Sequence, residues 1–576
     1  MKMIVQRQAP ESSQRELPEA LHPVLQRVYS ARNVTTGIEL DNSLTRLYPP
    51  ADLKGISTAV DLLSGALLRQ EKILVVGDFD ADGATSSALM VSALRAMGAH
   101  SVDYLVPNRF EFGYGLTPEI VAVAAKSNPD LIITVDNGIS SLDGVQAARE
   151  RGIRVLVTDH HLPGSELPAA DAIVNPSQPH DTFPSKNLAG VGVAFYLLMA
   201  LRGRLRENSW FTSRDCAEPN LADYLDLVAL GTVADLVPLD HNNRVLVRQG
   251  LQRIRAGHCR PGIRALLEIA GRKVERVVAA DFGFAAGPRL NAAGRLDDMS
   301  LGIECLLAED AGKAKQLAAE LDALNRERRE IEADMKTQAM EYVQQVHVQE
   351  EHLPLGLCLF EPDWHQGVIG ILASRIKERF HRPVIAFARS GPDEIKGSAR
   401  SIPGLHIRDT LDAIAARHPE VLQKFGGHAM AAGLSLAEHN LPAFEAAFVK
   451  ELETRLDERV LTNVLESDGP LDLEDFNLDL AEQLRSAGPW GQGFPEPLFD
   501  GNFTVLQQRV VGEHHLKLLV RPEGGSQALD AIAFNQAADH TLKKGQRVRL
   551  AYRLDSNEYR GMLGLQLVIE MIELLQ

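Results

Sequence analysis

With 576 residues, 45% of them hydrophobic and 24% charged, the chain exceeds what one core can organise, because single cores stop growing near ~250–300 residues, so about two to four domains are expected. This composition excludes a low-complexity or disordered polymer. A net charge of −17 stands against a polyanionic partner only for the surface as a whole, because an acidic protein can gather its positive charge in one groove and hold divalent cations in its acidic clusters.

The N-terminal stretch MKMIVQRQAPESSQREL lacks the apolar core of a signal peptide. The longest apolar run, Val191 to Leu201, falls short of the ~20 residues a bilayer requires. Neither export nor membrane insertion is expected. Cys216, Cys259, Cys305 and Cys358 are isolated from one another and form no CxxC pattern, which fits a reducing cytosol.

From Lys72 the pattern alternates: the strand KILVVGD, a helix from Ala84 to Met97, then DLIITVD, a helix around Gly144 to Arg151, and RVLVTD. Short continuous apolar runs read as strands buried on both faces, and the helices between them as crossovers of a parallel sheet, so the fold class is α/β. Each of the three strands ends in aspartate, at Asp78, Asp136 and Asp159. Ligands of open α/β sheets lie at the carboxyl ends of the strands, so these acids are expected on one rim.

Asp235 follows a helix over Leu221–Leu230 in an otherwise apolar stretch. A Pro-free helix is predicted from Ala311 to Val346, with Leu317, Leu321, Leu324, Ile331 and Met335 on one face. It reads as a connector rather than a coiled-coil dimer, because Arg328 interrupts the seam. After Pro354 a smaller α/β region begins with LGLCLF, a helix from Val368 to Phe380, PVIAF and KGSARS. From about Phe499, HLKLLV, LDAIAF, RVRLAY and LQLVIEMI predict a small β-barrel, with an OB fold leading.

The first chemical motif is Asp78-Phe79-Asp80-Ala81-Asp82-Gly83, between strand and helix. Three acids in five residues repel one another unless cations sit among them. An EF-hand is rejected, since its twelfth position here is Leu89 and a strand precedes. Asp136 in TVDNG and the run Asp159-His160-His161 add oxygen and imidazole donors suited to Mn²⁺ or Mg²⁺ rather than structural zinc. Any one of these acids alone reads as a helix cap; several on one rim, with a histidine pair, read as a metal centre.

GDFDADG, TVDNG, TDHH and GTVAD resemble, in order and spacing, the four motifs of the DHH phosphoesterases. The strings LVPNRFEFGYGL, LAGVGVAFYL, RLNAAGR, WHQGVIGILASR, GSARS and GGHAMAAG are similar to the bacterial single-strand exonucleases of that family. The similarity runs from about Tyr48 to the C-terminus. It implies an N-terminal extension over 1–47, a parallel-sheet DHH catalytic domain over 48–308, a connector helix over 309–350, an α/β DHHA1 substrate domain over 351–462 and an OB-like nucleic-acid-binding domain over 463–576.

The resemblance also implies a reaction. The expected activity is 5′→3′ exonucleolytic hydrolysis of single-stranded DNA to 5′-mononucleotides with two Mn²⁺ or Mg²⁺ ions. Asp80 and Asp82 would ligate separate metals, Asp136 would bridge them, and His160 with Asp235 would complete the second centre. Asp78 and Asp159 would support the site, Asp78 ligating through water, and His161 would face the substrate phosphate or support the metal shell. Related phosphatases place a histidine just before the paired acids where Val76 stands here, which leaves the first metal fewer ligands.

Strand-orienting candidates are Arg109, Tyr114, Arg289, Asn291 and Arg295, and a 5′-phosphate pocket is expected near Ser398, Arg400, Gly426, Gly427 and His428. Phe110 and Phe112 join Tyr114 as candidates for base stacking, whereas Phe79 reads as core. Beyond Phe499, nine Lys/Arg balance nine Asp/Glu, so the barrel's grip on DNA is implied by the OB resemblance and not by charge, although Lys517, Arg521, Arg547, Arg549 and Arg553 would form a stripe if they share a face. A helicase and a single-strand binding protein are the partners the family implies, in recombination and repair, with the chain itself a monomer. The alternatives are a DHH phosphodiesterase for short oligoribonucleotides or cyclic dinucleotides, and a non-catalytic binding protein on the same fold.

Overall fold

The computed structural model describes all residues except 1, 9–15, 109–114, 350–353, 423, 457, 539, 560 and 576. The chain divides into two compact units, one of Gln6–Asp322 with Glu466–Gln576 and the other of Met1–Val5 with Ala323–Leu465. Among the described residues no helix is long and apolar enough to cross a membrane.

The first unit is built on a five-stranded parallel sheet. Its strands run Val102–Leu105, Ile73–Gly77, Leu131–Val135, Arg154–Thr158 and Ala172–Val174 in spatial order. The three central strands are almost wholly buried, as their unbroken apolar runs require when helices cover both faces. On one face Leu74, Val76, Ile132, Val155 and Val157 pack with Leu116, Ile120 and Val145 from the crossover connections. The register pairs Gly77 with Val135 and Val135 with Thr158, so the next residues, Asp78, Asp136 and Asp159, leave three adjacent strands at one level.

The helix after the first acidic motif spans Ala81–Ala96, three residues earlier than its hydrophobic pattern predicts, because Asp80 caps it by accepting from the backbone N–H groups of Asp82 and Gly83 at 2.9 and 3.0 Å. The stretch before Asp235 is a 3-10 turn, Leu221–Tyr224, followed by a buried helix, Leu225–Ala234. Asp235 therefore stands at that helix's C-cap.

The same unit holds the barrel. Strands Phe499–Val511, His515–Pro522, Leu529–Ala533, Met562–Leu574 and Arg547–Tyr559 close in that order, antiparallel except for the pairing of Leu529–Ala533 with Met562–Leu574. The segment before the barrel is fastened by the N-terminal helix Pro23–Ser30 and the turn at its C-terminal end. Arg32 bonds both Asp468 oxygens at 2.7 and 2.9 Å, and Tyr29 stacks in a group with Trp490 and Phe494. From Gln6 onward, the described part of the extension is thus a structural part of this unit.

The second unit has a five-stranded sheet ordered Lys424–Gly427, Ala431–Ala437, Glu394–Arg400, Val384–Gly391 and Leu357–Phe360. Alternation along Val384–Ala388 splits its faces: Ile385 and Phe387 pack with Phe444 and Phe448, whereas Val384, Ala386 and Ala388 pack with Leu372 and Trp364 and with Met335, Ala339 and Val343 of the long helix Ala311–Gln349. The predicted connector is thereby anchored by core packing. Arg328, which interrupts the apolar seam, is 7% exposed and is satisfied by Asn325 at 2.7 Å and by Glu332.

Candidate metal centre

The sheet rim gathers the acids and histidines into overlapping donor sets. Asp78, Asp80 and Asp136 form one, Asp82, His160 and Asp235 a second, and Asp136, His160 and His161 a third, each with its ligand atoms within 4.8 Å of one another. Asp136 and His160 each serve two sets. His160 Nε2 lies 3.1 Å from Asp136 Oδ1 and 3.5 Å from Asp235 Oδ2. Asp136 has φ +62°, a left-handed backbone that a non-glycine residue adopts at a cost and that turns its side chain out of the strand path.

Burial and mutual repulsion dominate the electrostatics. Burial first, then the Asp80 charge, push Asp82 up to about 7. Burial, followed by the charges of Asp82, Asp80, Asp235 and Asp78, raises Asp136 well above the usual carboxylate range. Asp235 is raised in the same way, by burial and then by Asp82 and Asp80. A group of buried carboxylates that hold one another protonated is stabilised in its ionised form by cations, and a donor set of carboxylate oxygens with imidazole suits Mn²⁺ or Mg²⁺. The residues present therefore fit divalent ions.

Asp159 acts differently. Its Oδ1 accepts from the backbone N–H groups of His160 and His161 at 2.7 and 3.1 Å and meets His161 Nδ1 at 2.7 Å, while its Oδ2 accepts from Ile139 N–H at 2.9 Å. Every bond favours the carboxylate, and its pKa is lowered despite burial. Burial alone would lower His161, but the bond to Asp159 and the charges of Asp159, Asp78 and Asp80 raise it to about 9. The rings of His160 and His161 lie 4.4 Å apart. Ser177 Oγ donates to His160 O at 3.1 Å and Asn175 Nδ2 to His161 O at 3.0 Å, fixing the main chain of the pair.

Three contributors escape a reading of motifs alone. Gly190 and Val191, at the start of the helix Gly190–Glu207, donate their backbone N–H groups to Asp82 at 2.6 and 3.0 Å. A Cβ on Gly190 would lie 2.6 Å from Asp136 Cβ, and one on Gly231 2.8 Å from Asp82 Oδ1. The signals in the sequence were the string LAGVG, whose contact with an aspartate 108 residues earlier cannot be seen from spacing, and the first residue of GTVAD, whose approach to Asp82 is equally invisible there.

Comparison with known proteins places this geometry. Residues 72–232 match the DHH family, N-terminal domain; residues 345–454 match the DHHA1 domain; and residues 467–571 match the RecJ OB domain. The chain is 58% identical over 573 residues to the single-stranded-DNA-specific exonuclease RecJ of Dickeya dadantii, covering 99% of both, and 56% identical to that of Escherichia coli, covering 97% of both. The chain belongs to the RecJ family. The crystal structure of RecJ in complex with Mn²⁺ from Thermus thermophilus is similar at a TM-score of 0.78 and 32% identity, over 96% of this chain and 76% of that one. The Mg²⁺ complex from the same organism is similar at 0.73 and 30%, over 96% and 75%.

The RecJ-family substrate residues predicted from the sequence fall into three classes. Arg109 and Tyr114, with Phe110 and Phe112, lie outside the described residues. On the helix Gly287–Leu296, Asn291 Oδ1 accepts from Ala81 N–H at 2.8 Å, tying that helix to the acidic motif, and Arg295 lies one turn further on. Arg289 is placed otherwise than expected for a residue that meets the strand. It is 8% exposed, with its guanidinium on Asp322 at 2.8–2.9 Å and on Ala285 O at 2.8 Å, because its side chain points into the helix packing.

The remaining residues predicted to meet substrate share one corner of the second unit. Ser398 pairs with Gly433, which pairs with Gly426; Arg400 pairs with Ala431, and Ala432 with Gly427. His428 N–H donates to Ala431 O at 2.8 Å. Arg400 Nη1 donates to Ser398 Oγ at 3.0 Å and to Ala399 O at 2.8 Å. Burial is the cause that lowers Arg400, the condition in which a guanidinium gains most from an anion. Gly370, from the string WHQGVIGI, lets the neighbouring helix approach, since a Cβ there would lie 2.8 Å from Arg400 Nη2 and 2.9 Å from Ser398 Oγ.

Proposed function

We propose that this chain is a single-strand-specific DNA exonuclease that hydrolyses the 5′-terminal phosphodiester with two divalent cations, Mn²⁺ or Mg²⁺, and proceeds 5′→3′ with release of 5′-mononucleotides. The observation that carries the reading is the sharing of Asp136 and His160 between donor sets, the arrangement two neighbouring ions require. Asp78, Asp80, Asp82, Asp136, His160 and Asp235 are the proposed ligands. Bound ions of this class supply Lewis-acid polarisation at phosphorus and lower the pKa of a nucleophilic water.

The chain's own residues supply the rest. Asp82 is oriented by the Gly190 and Val191 N–H groups. His161, held by Asp159 and protonated near neutral pH, offers its imidazolium to a phosphate oxygen. Arg400 and Ser398, with the Gly426-Gly427-His428 strand end, take the 5′-phosphate, and Asn291 and Arg295 orient the strand. The OB domain matched over 467–571 supports a polymeric substrate rather than a dinucleotide. In the cell the enzyme works in the cytoplasm as a monomer, in recombination and repair, beside a helicase and a single-strand binding protein.

The test uses single-stranded DNA labelled at either end, and its duplex, incubated with Mn²⁺, Mg²⁺ or EDTA. Mononucleotide release from the 5′ end of the single strand alone, dependent on metal and absent in Asp136→Ala, is expected. Binding without cleavage under every metal would replace the proposal with a non-catalytic binding role, and cleavage confined to short oligoribonucleotides or cyclic dinucleotides would move the substrate class.

A further inference from the structure

A cavity of about 370 Å³ in the first unit has a lining both apolar and basic. Its lining includes the apolar side chains of Val233, Leu236 and Phe284 and the basic ones of Arg248, Arg255 and Arg485. Val233 and Leu236 flank the proposed ligand Asp235 in sequence, so the lining of this cavity and the donor set of Asp82, His160 and Asp235 draw on the same turn of chain.

The apolar part of the lining is built at a cost. Leu236 has φ +61° and is 68% exposed, a left-handed leucine that stores about 1–2 kcal/mol of strain and recovers little of it by burial. Phe284 is 76% exposed, at the middle of the π-helical turn Phe282–Ala286, an irregularity that recurs at functional sites.

The arginines are satisfied chiefly by carbonyl oxygens. Arg248 donates to Gly488 O at 2.9 Å, Arg255 to Val277 O at 2.8 Å and Arg485 to Arg276 O at 3.1 Å. Among the described residues neither Arg248 nor Arg255 forms an ion pair, and Arg485 meets one carboxylate, Asp555, at 3.3 Å. Glu496, the one carboxylate of the lining, is engaged by Arg553 at 2.7 Å. Burial lowers Arg248 and Arg255, and Arg248 and Arg485 lower Arg255 further. An anion entering here relieves that repulsion.

We infer that this cavity is a second nucleotide subsite, in which a base of the strand being degraded lies against Phe284 and Leu236 while its phosphate meets Arg248 and Arg255. The inference rests on the nuclease reading above and extends it to how the strand is held beyond the reacting bond. A carboxylate-ended apolar peptide shares the chemistry of anion and apolar body. The adjacency in sequence of Val233 and Leu236 to Asp235 favours the strand.

The test is made in EDTA with the full chain, so that binding is read apart from cleavage. A single strand of about 12 nucleotides, long enough to extend past one subsite, carries one 5-iodouracil at successive positions and is irradiated, and the crosslinked peptide is mapped. Crosslinking to Phe284 from one position near the 5′ end is expected. Phe284→Ala should weaken binding of the same strand about tenfold, within the range for one stacked base, with Phe284→Trp restoring it and trinucleotide affinity little altered. Leu236→Asn, which keeps a left-handed preference, should weaken the long strand in the same direction. If the strand binds but never crosslinks at Phe284 and Phe284→Ala binds as wild type, the subsite is wrong while the nuclease reading stands. If the crosslink forms but no DNA is cut with Mn²⁺, the nuclease reading falls and the subsite stands. Displacement of the crosslink by a carboxylate-ended apolar peptide, and not by unlabelled strand, would overturn the assignment in favour of a peptide site.

Discussion

Charge is arranged in two opposite ways in the first unit. At the sheet rim, Asp82, Asp136 and Asp235 are drawn into a buried cluster with Asp78 and Asp80, where burial first and then the neighbouring acids raise the pKa values of Asp82, Asp136 and Asp235. On the outward face of the barrel, Arg547, Arg549 and Arg553 alternate with acids instead. Arg547 meets Glu523 at 2.6 Å, Arg549 meets Asp500 at 2.8 Å, and Arg553 meets Glu496 at 2.7 Å and Glu570 at 2.5 Å. Lys517 is likewise paired with Asp530 at 2.8 Å.

The like-charged cluster is incomplete without an outside partner, whereas the alternating face is already neutralised by its own side chains. This separates a charged site made for a ligand from a charged surface made for solubility and packing, although both hold similar numbers of ionisable groups. The strand registers place Arg521 opposite Thr504 and Thr504 opposite Arg547, so these two members of the predicted basic stripe share a face. Its arginines are nonetheless committed to acids, with Arg521 the exception among the described residues.

The sharpest way to break the comparison is Asp136→Asn. If the cluster exists to hold cations, activity should fall on the order of 10³-fold, about 4 kcal/mol of transition-state stabilisation. The metal-free variant should at the same time melt higher than wild type, because one buried like charge is gone. A lower melting temperature without metal would mean that the cluster is held by something other than ions. Saturating Mn²⁺ should stabilise the wild type by about 2.7 kcal/mol at a hundredfold excess over Kd and the variant by much less.

A change that adds volume rather than removing charge tests the same cluster through its backbone. Gly231→Ala would place a Cβ 2.2 Å from Thr85 Oγ1 and 2.8 Å from Asp82 Oδ1. Overpacking of this kind costs about 1–3 kcal/mol, and displacing Asp82 should cost roughly 10–100-fold in metal affinity, read by calorimetric Mn²⁺ titration. Unchanged affinity would remove Asp82 from the ligand set.

The pH dependence carries a definite sign. Asp82 rises from 3.8 unfolded to about 7 folded, so between those values the folded state binds a proton that the unfolded state does not. The metal-free protein should therefore lose stability as pH rises from about 4 through about 7, with Asp136 and Asp235, shifted in the same direction, adding to the loss. Saturating metal should flatten that slope, and urea midpoints at the two ends of the window, with and without Mn²⁺, measure it.

The smallest effects belong to the barrel. Arg547→Gln should change stability by less than about 1 kcal/mol and leave the salt dependence of single-strand binding nearly unaltered. Arg521→Gln, if its charge meets a phosphate, should lower the salt slope by about 0.7, the increment for one contact on a single strand. Equal slopes for the two variants would show that ion pairing within the barrel does not decide which arginines reach DNA.

The sequence by itself determined the parallel-sheet core, the barrel and the identity of the rim acids. Buried strands read as unbroken apolar runs, barrel strands as alternation, and the carboxyl ends of parallel strands are where side chains leave the core toward a ligand. It also held the long helix, whose period of burial is local. Tertiary structure alone decided the partners: that Gly190 and Val191 bind Asp82 across 108 residues, that Asn291 ties to Ala81 across 210, that Arg289 turns inward to Asp322, and that the residues around Arg32 clamp the segment ahead of the barrel. A residue type announces its charge and size, but the direction of its side chain, and whether an opposite charge already waits for it, are set by elements distant in sequence.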